Sequence, residues 1–268
     1  MTTKNPLGQA TAYREQYSPD LLYAIARTDS REALGFDGDL PFHGIDIWNA
    51  WELSWLNAKG LPQVAIAEIR VPATSPNIIE SKSLKLYLNS FAMAPYGDVD
   101  EITAAITNDL TTCCGASVLV KLQLADDDPA VSVFPGDCID ATNTSCGVYE
   151  VDSSSLRTVD DAVEESLYSH LLRSLCPVTN QPDLGSLLVT YRGPRIDREG
   201  LLRYIVSYRQ HNDFHEACVE RMFLDISERC RPEQLSIYAR YQRRGGIDIN
   251  PYRSSLDEVP PNIRLWRQ

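Results

Sequence analysis

The sequence predicts an α+β protein made of two related modules, each combining antiparallel strands with helices. Three observations carry that expectation. Several short runs alternate apolar and polar residues, as half-buried strands do. Others carry apolar residues at helical spacing. The order of these elements then repeats at a separation of about 117 residues. With 268 residues, 43% of them hydrophobic, the chain is long enough for one large core or two modest ones.

The first 60 residues are rich in turns and aromatics. Trp48, Trp51 and Trp55, accompanied by Leu53 and Leu56, recur at helical spacing and predict a core or interface helix. After Gly60, Val64, Ile66 and Glu68 oppose Ala65, Ala67 and Ile69, the pattern of a half-buried strand. Residues 86–91 (Leu-Tyr-Leu-Asn-Ser-Phe) resemble residues 203–208 (Arg-Tyr-Ile-Val-Ser-Tyr), and both read as strands. Each precedes a helical stretch, residues 98–112 and 213–230, and each helix leads to another strand, residues 117–124 and 235–242. Upstream, residues 65–70 and 187–192 are comparable strands ending in Arg-Val-Pro and Arg-Gly-Pro. A loop over roughly residues 125–160, rich in Asp, Ser, Thr and Gly, is the junction. It divides the chain into modules at 1–140 and 141–268, with Asp126-Asp127-Asp128 as a solvated charge run.

A net charge of -12 argues against a nucleic-acid backbone or an anionic membrane as direct partner. No apolar run approaches about 18 residues, and Met1-Thr2-Thr3-Lys4-Asn5-Pro6 lacks the apolar stretch of a signal peptide, so a cytosolic chain is expected. The seven cysteines form no regular framework and read mostly as free, buried thiols. Cys113-Cys114 has no CxxC or His-rich companion, so no metal site is expected.

Chemistry concentrates in four short segments. In Cys176-Pro177-Val178-Thr179-Asn180-Gln181-Pro182-Asp183, a thiol and a carboxylate share a proline-restricted loop between a helical run and an apolar strand. A nucleophile beside a proton carrier is the minimum equipment for covalent catalysis. A buried structural cysteine and a turn aspartate are the plainer readings. In Asp213-Phe214-His215-Glu216, Asp213 and Glu216 read as an acidic capping box. The sharper reading gives Glu216 two adjacent N–H groups of a guanine-like ring to accept from, with His215 moving protons. Glu80-Ser81-Lys82-Ser83-Leu84-Lys85 reads either as a charged strand approach or as a cation and hydroxyl for phosphate. Arg243-Arg244-Gly245-Gly246 adds guanidinium groups and glycines that let a backbone approach a ligand, or is simply a basic turn. No GxGxxG or Walker A motif occurs, so a bound dinucleotide would lie outside a Rossmann fold. The second half has no Glu-Ser-Lys counterpart and the first no thiol near Leu56–Leu61, which predicts one composite site after complementary loss.

Together these segments resemble the NADPH-dependent 7-cyano-7-deazaguanine reductases, in the longer form with two fused modules. The resemblance rests on Glu80–Tyr87, Cys176–Asp183, His211–Glu216 and Arg243–Asp248, in that order. It implies a tunnelling fold, whose antiparallel sheets with helices on one face assemble into a barrel, and a cytoplasmic homodimer. It further implies reduction of a nitrile to a primary amine with two NADPH and no metal, on the way to the queuosine base of tRNA. By that resemblance Cys176 is the nucleophile that forms a thioimide, Asp183 the proton donor and His215 a relay. Ile79, Glu80, Ser81, His215 and Glu216 would hold the deazaguanine, and Ser81, Lys82, Arg244 and Gly245 would contact NADPH. Three other readings compete: an amidinotransferase-like relative acting on the same nitrile, a non-catalytic purine- or pterin-binding module, and, least favoured, a zinc-dependent cyclohydrolase of the same fold.

Overall fold

The structure is a computed structural model that describes residues 13–14, 16–35, 39–124 and 130–268. Met1–Pro6 and Asp126-Asp127-Asp128 lie outside the described residues. The chain divides into two units that are not contiguous halves. The first comprises Met1–Asp37, Asp46–Ala130 and Arg243–Asp248, and the second Gly38–Ile45, Val131–Gln242 and Ile249–Gln268.

In the first unit the elements run β1 (Ala24–Ala26), α1 (Thr28–Ala33), β2 (His43–Leu56, from Asp46 onward in this unit), β3 (Pro62–Pro72), β4 (Asn77–Ile79), α2 (Ser81–Asn89), α3 (Val99–Cys114) and β5 (Leu119–Leu124). β3 lies between β2 and β5 and pairs antiparallel with β5, while β1 pairs antiparallel with β4. The second unit holds β6 (Asp137–Cys138), β7 (Thr158–Leu175), β8 (Pro182–Ile196), α4 (Arg198–Ser207), α5 (His215–Cys230), β9 (Gln234–Tyr241) and, from Ile249, β10 (Ile247–Ser254). Here β10, β9, β8 and β7 follow one another antiparallel, and β6 joins the edge parallel to β7. The result is a mixed α+β architecture rich in antiparallel pairs. No helix among the described residues is long and apolar enough to cross a membrane.

The expected helices at 98–112 and 213–230 are α3 and α5, and the expected strands at 65–70, 117–124, 187–192 and 235–242 fall in or largely overlap β3, β5, β8 and β9. Three expectations fail. The tryptophan-rich segment is strand β2, in which Asp46–Trp51 are all buried. A strand covered on both faces loses its alternation, so chance spacing of large residues passes for a helix. Residues 86–91 and 203–208 belong mainly to helices α2 and α4, not to strands. Each helix starts at a carboxylate N-cap: Glu80 accepts from the Lys82 and Ser83 N–H groups, and Asp197 from that of Gly200. Leu84, Tyr87 and Leu88 then form a buried stripe on α2, matched by Leu201, Tyr204 and Ile205 on α4. A six-residue apolar window cannot separate that stripe from a strand.

The repeat itself extends to individual hydrogen bonds. Tyr87 donates to Asp109 and Tyr204 to Asp225, both at 2.6 Å. Ser90 and Ser207 each return a hydroxyl to the tyrosine carbonyl three residues back, again at 2.6 Å. The Tyr87–Phe91 and Tyr204–Tyr208 rings meet edge to face at 5.2 and 5.5 Å. α3 and α5 both end in a left-handed residue, Gly115 and Arg231, whose N–H closes the last turn. Even the strand ends agree. Leu56 is bridged by Ala94 and Tyr96, and Leu175 by His211 and Asp213.

Candidate active site

The Cys176–Asp183 segment is the turn of the β7–β8 hairpin. The ladder pairs Ser174 with Asp183 and Leu175 with Pro182. Beyond it, the Cys176 N–H donates to the Gln181 carbonyl at 2.9 Å, and the Asn180 N–H to the Cys176 carbonyl at 3.0 Å. Asn180 takes the left-handed conformation (φ 59°) that the reversal needs. The element before the loop is therefore a strand and not the expected helical run. Strand alternation sets Cys176 on the same face as Ser174, and across the ladder Asp183 is its diagonal neighbour. The thiol is half-buried, and Asp183 is 4% exposed.

His215 and Glu216 enter from the start of α5. The expected capping box is not formed: the N-cap is Phe214, without a side-chain cap. Asp213 is held elsewhere, its N–H donating to the Leu175 carbonyl and its carboxylate accepting from the Phe214 N–H. That bridge delays the helix, so His215 and Glu216 occupy its first two positions. His215 Nε2 lies 3.3 Å from Asp183 Oδ2, with side-chain exposures of 14% and 5%. The imidazole stacks on Tyr241, ring centroids 3.9 Å apart at 33°. Glu216 is buried.

A second thiol, Cys218, lies in the same region. Burial, reinforced by the carboxylates of Asp213, Asp183 and Glu216 against the opposing Ser174 hydroxyl, holds it well above the usual thiol range. It stays protonated at neutral pH and is buried, whereas Cys176 is the more accessible thiol of the two. Burial likewise holds the Tyr241 hydroxyl in its neutral form. Neither Tyr241 nor Cys218 was found from sequence, because nothing local marks a residue that reaches the site only through tertiary packing.

The remaining candidates lie in the first unit. Ile79 pairs with Ala24 in the β1–β4 ladder. Glu80 is buried and caps α2 with both oxygens, at 2.7 Å from the Lys82 nitrogen and 2.8 Å from that of Ser83. Ser81 and Lys82, half-buried, form the first turn, so this segment is a capped helix and not a strand approach. Arg244 and Ile247 bracket a two-residue turn with Gly245 and Gly246 at φ 58° and 80°, a geometry that glycine adopts without strain. A Cβ on Gly245 would stand 3.3 Å from Lys85 Cε, so the lysine stem lies against bare backbone. Beside it, the Arg243 guanidinium covers the Trp51 ring at 4.1 Å. Trp51 is anchored by its indole N–H to Asp248, which Asn49 also reaches at 2.8 Å. A lysine and two arginines around an open glycine turn, with a rigid aromatic platform, fit a phosphate-bearing dinucleotide. Lys85, Arg243 and Trp51 lie beside the expected cofactor residues of this turn. Among the described residues, no group of three or more His, Cys, Asp or Glu is placed to hold a metal ion.

Within the second unit, a half-buried thiol at the hairpin turn and a buried carboxylate–imidazole pair have the residue types that cysteine-dependent catalysis needs. Known proteins narrow that class. Residues 13–122 match the family described as "Nitrile reductase, 7-cyano-7-deazaguanine-reductase N-term", and residues 182–259 match "QueF-like protein". The chain is 52% identical over 269 residues to the NADPH-dependent 7-cyano-7-deazaguanine reductase of Burkholderia multivorans, covering 98% of each. It is 50% identical over 277 residues to that of Paraburkholderia xenovorans, covering 99% of this chain and 98% of the relative. The reductase of Paraburkholderia phytofirmans is 51% identical over 270 residues with the same coverage. The chain belongs to the NADPH-dependent 7-cyano-7-deazaguanine reductase family.

Proposed function

We propose that the chain reduces the nitrile of 7-cyano-7-deazaguanine to the aminomethyl group of 7-aminomethyl-7-deazaguanine, a step towards the queuosine base of tRNA. The observation that carries the mechanism is the hairpin register, which sets Cys176 diagonal to Asp183, together with the 3.3 Å approach of His215 to that carboxylate. Cys176 Sγ adds to the nitrile carbon, forming a C–S bond as one C≡N π bond breaks. Asp183 gives a proton to the nitrogen, and the thiol proton returns to the Asp183–His215 pair. The product, a thioimide, contains all the atoms of thiol plus nitrile and no net charge change. This order of events follows from electrophilicity, because a nitrile carbon accepts hydride poorly and an activated C=N accepts it well.

NADPH supplies a hydride in each of two reductions, two per turnover. The thiolate leaves after the first, and the Asp183–His215 pair provides the protons that complete the amine. Glu216 and Glu80 accept hydrogen bonds from ring N–H groups, with His215 and the Ile79–Ser81 backbone completing the contacts. Each Glu80 oxygen already accepts one helix N–H and retains a second lone pair for this. Ser81, Lys82, Arg244 and Gly245 contact the cofactor, and Lys85 supports the glycine turn. The modules, divided at residues 1–140 and 141–268, take the tunnelling fold and assemble as a barrel in a cytoplasmic homodimer. The substrate is a small molecule, with no direct nucleic-acid or membrane partner.

NADPH oxidation on adding the nitrile tests the reaction. Steady consumption with two equivalents per nitrile is expected, and no consumption would overturn it. An amidinotransferase-like relative would consume none, and a binding module would form no adduct either. Light scattering of the purified protein is expected to give twice the 30.0 kDa chain mass.

A further inference from the structure

Tyr241, whose ring carries His215, is held on its backbone in an unusual way. On one side it pairs with Gly185 of β8. On the other, its N–H donates to the Asn250 side-chain carbonyl at 3.2 Å, and its carbonyl accepts from the Gln268 carboxamide at 3.1 Å. Side chains, not only a neighbouring strand, therefore fix this residue.

Gln268 is only 7% exposed, and its carboxamide makes four hydrogen bonds. Its NH2 donates to Tyr241 and, at 2.8 Å, to Asn250 Oδ1. Its oxygen accepts from the Leu265 N–H at 3.0 Å and from Arg240 Nε at 3.2 Å. Asn250 and Arg240 are fully buried. Arg240 is held in turn by the Tyr238 hydroxyl at 2.9 Å and Asn262 at 2.8 Å. A buried network in which each member is satisfied rigidifies what it touches. What it touches here is Tyr241, whose ring stacks on the imidazole. The contacts run Gln268, Tyr241, His215, Asp183, all inside the second unit.

We propose that Gln268 and Tyr241 are positioning residues for proton delivery: the carboxamide fixes the Tyr241 backbone, and the Tyr241 ring fixes the imidazole with Nε2 towards Asp183. The inference rests on the role given to His215 above. It assigns no contact with substrate to either residue.

The decisive variants are Gln268→Glu, which keeps the size but turns carboxylate oxygens towards the Tyr241 and Asn250 oxygens, and the pair Tyr241→Leu and Tyr241→Phe, which remove and keep the stack. Three quantities are read: the single-turnover rate of adduct formation by intact mass, nitrile affinity in a Cys176→Ala background, and the NMR titration of His215, one of only four histidines. Gln268→Glu and Tyr241→Leu are expected to slow adduct formation by about tenfold or more, hold affinity within about twofold, and displace the His215 titration. Tyr241→Phe should match wild type. An unmoved His215 titration with a wild-type rate overturns the proposal, as does a parallel loss of affinity and rate. Should Gln268→Glu not fold, the Tyr241 pair decides alone. Failure of the underlying reading looks different: His215→Asn would then form the adduct at the wild-type rate, whatever the NMR coupling.

Discussion

α3 and α5 occupy equivalent places in the two units, and their first turns differ. At the start of α3, Asp98 accepts from the Glu101 N–H at 2.9 Å, while Glu101 reaches back to the Gly97 N–H at 2.7 Å. That is an acidic cap of the kind expected at Asp213–Glu216, with its return bond to the residue before the N-cap, and it is found instead in the other module. At the same place α5 has Phe214, which caps nothing, followed by His215 and Glu216. Everything behind these starts is shared: the Tyr–Asp hydrogen bond, the serine return, the left-handed end. One module has kept a stable helix start. The other lacks a cap worth about 1 kcal/mol and carries the titratable side chains of the proposed site there.

That contrast can be broken at several points. The largest effect belongs to the chemical side: Asp183→Asn should lower the reduction rate by about 10²- to 10⁴-fold, read by NADPH oxidation, with the fold intact by circular dichroism. On the shared side, Tyr204→Phe leaves the Asp225 carboxylate without its 2.6 Å donor and should cost about 2 kcal/mol in urea unfolding, and Tyr87→Phe less, because Asp109 still accepts from Tyr17 at 2.6 Å. Restoring the cap with Phe214→Asp should raise stability by about 0.5–1 kcal/mol while lowering kcat. A gain in stability with kcat unchanged would mean that the missing cap has no functional role.

The smallest effect concerns pH. Glu258 accepts from Tyr252, Ser236 and Ser254, and these hydrogen bonds, Tyr252's first, hold its carboxyl below the ordinary range. The same contact, after burial, pushes the Tyr252 hydroxyl up to about 12. A lowered carboxyl stabilises the fold in full above the unfolded value of about 4.3, and the contribution disappears as pH falls through the folded value. Glu258→Gln should therefore flatten the acid limb of thermal stability slightly. An unchanged limb would show the group to be electrostatically neutral to folding.

Much of the scaffold was legible from sequence, for physical reasons that also explain the failures. α3 and α5 are long enough for their apolar period to stand out, and β3 alternates, except at the buried Glu68, because one face is more exposed. β7 does not: its ladder shifts register between Val159 and Ala162 and again between Ser169 and Leu172. Each irregularity breaks the two-residue period, so an eighteen-residue strand passed for a helical run. Of the candidate site, the thiol, carboxylate and His-Glu pair were readable as candidates because each sits in a short, turn-rich segment. Tyr241, Cys218 and Gln268 could not, since a strand tyrosine, a helix cysteine and a terminal glutamine look ordinary until the chain is folded around them.

The central claim is that Cys176 attacks the nitrile with Asp183 as its proton donor. Intact mass after mixing the protein with 7-cyano-7-deazaguanine, without NADPH, tests it most directly. A single adduct of substrate mass on wild type is expected, absent in Cys176→Ala and slowed or absent in Asp183→Asn. An unmodified wild-type mass, or an adduct that persists in Cys176→Ala, would contradict it.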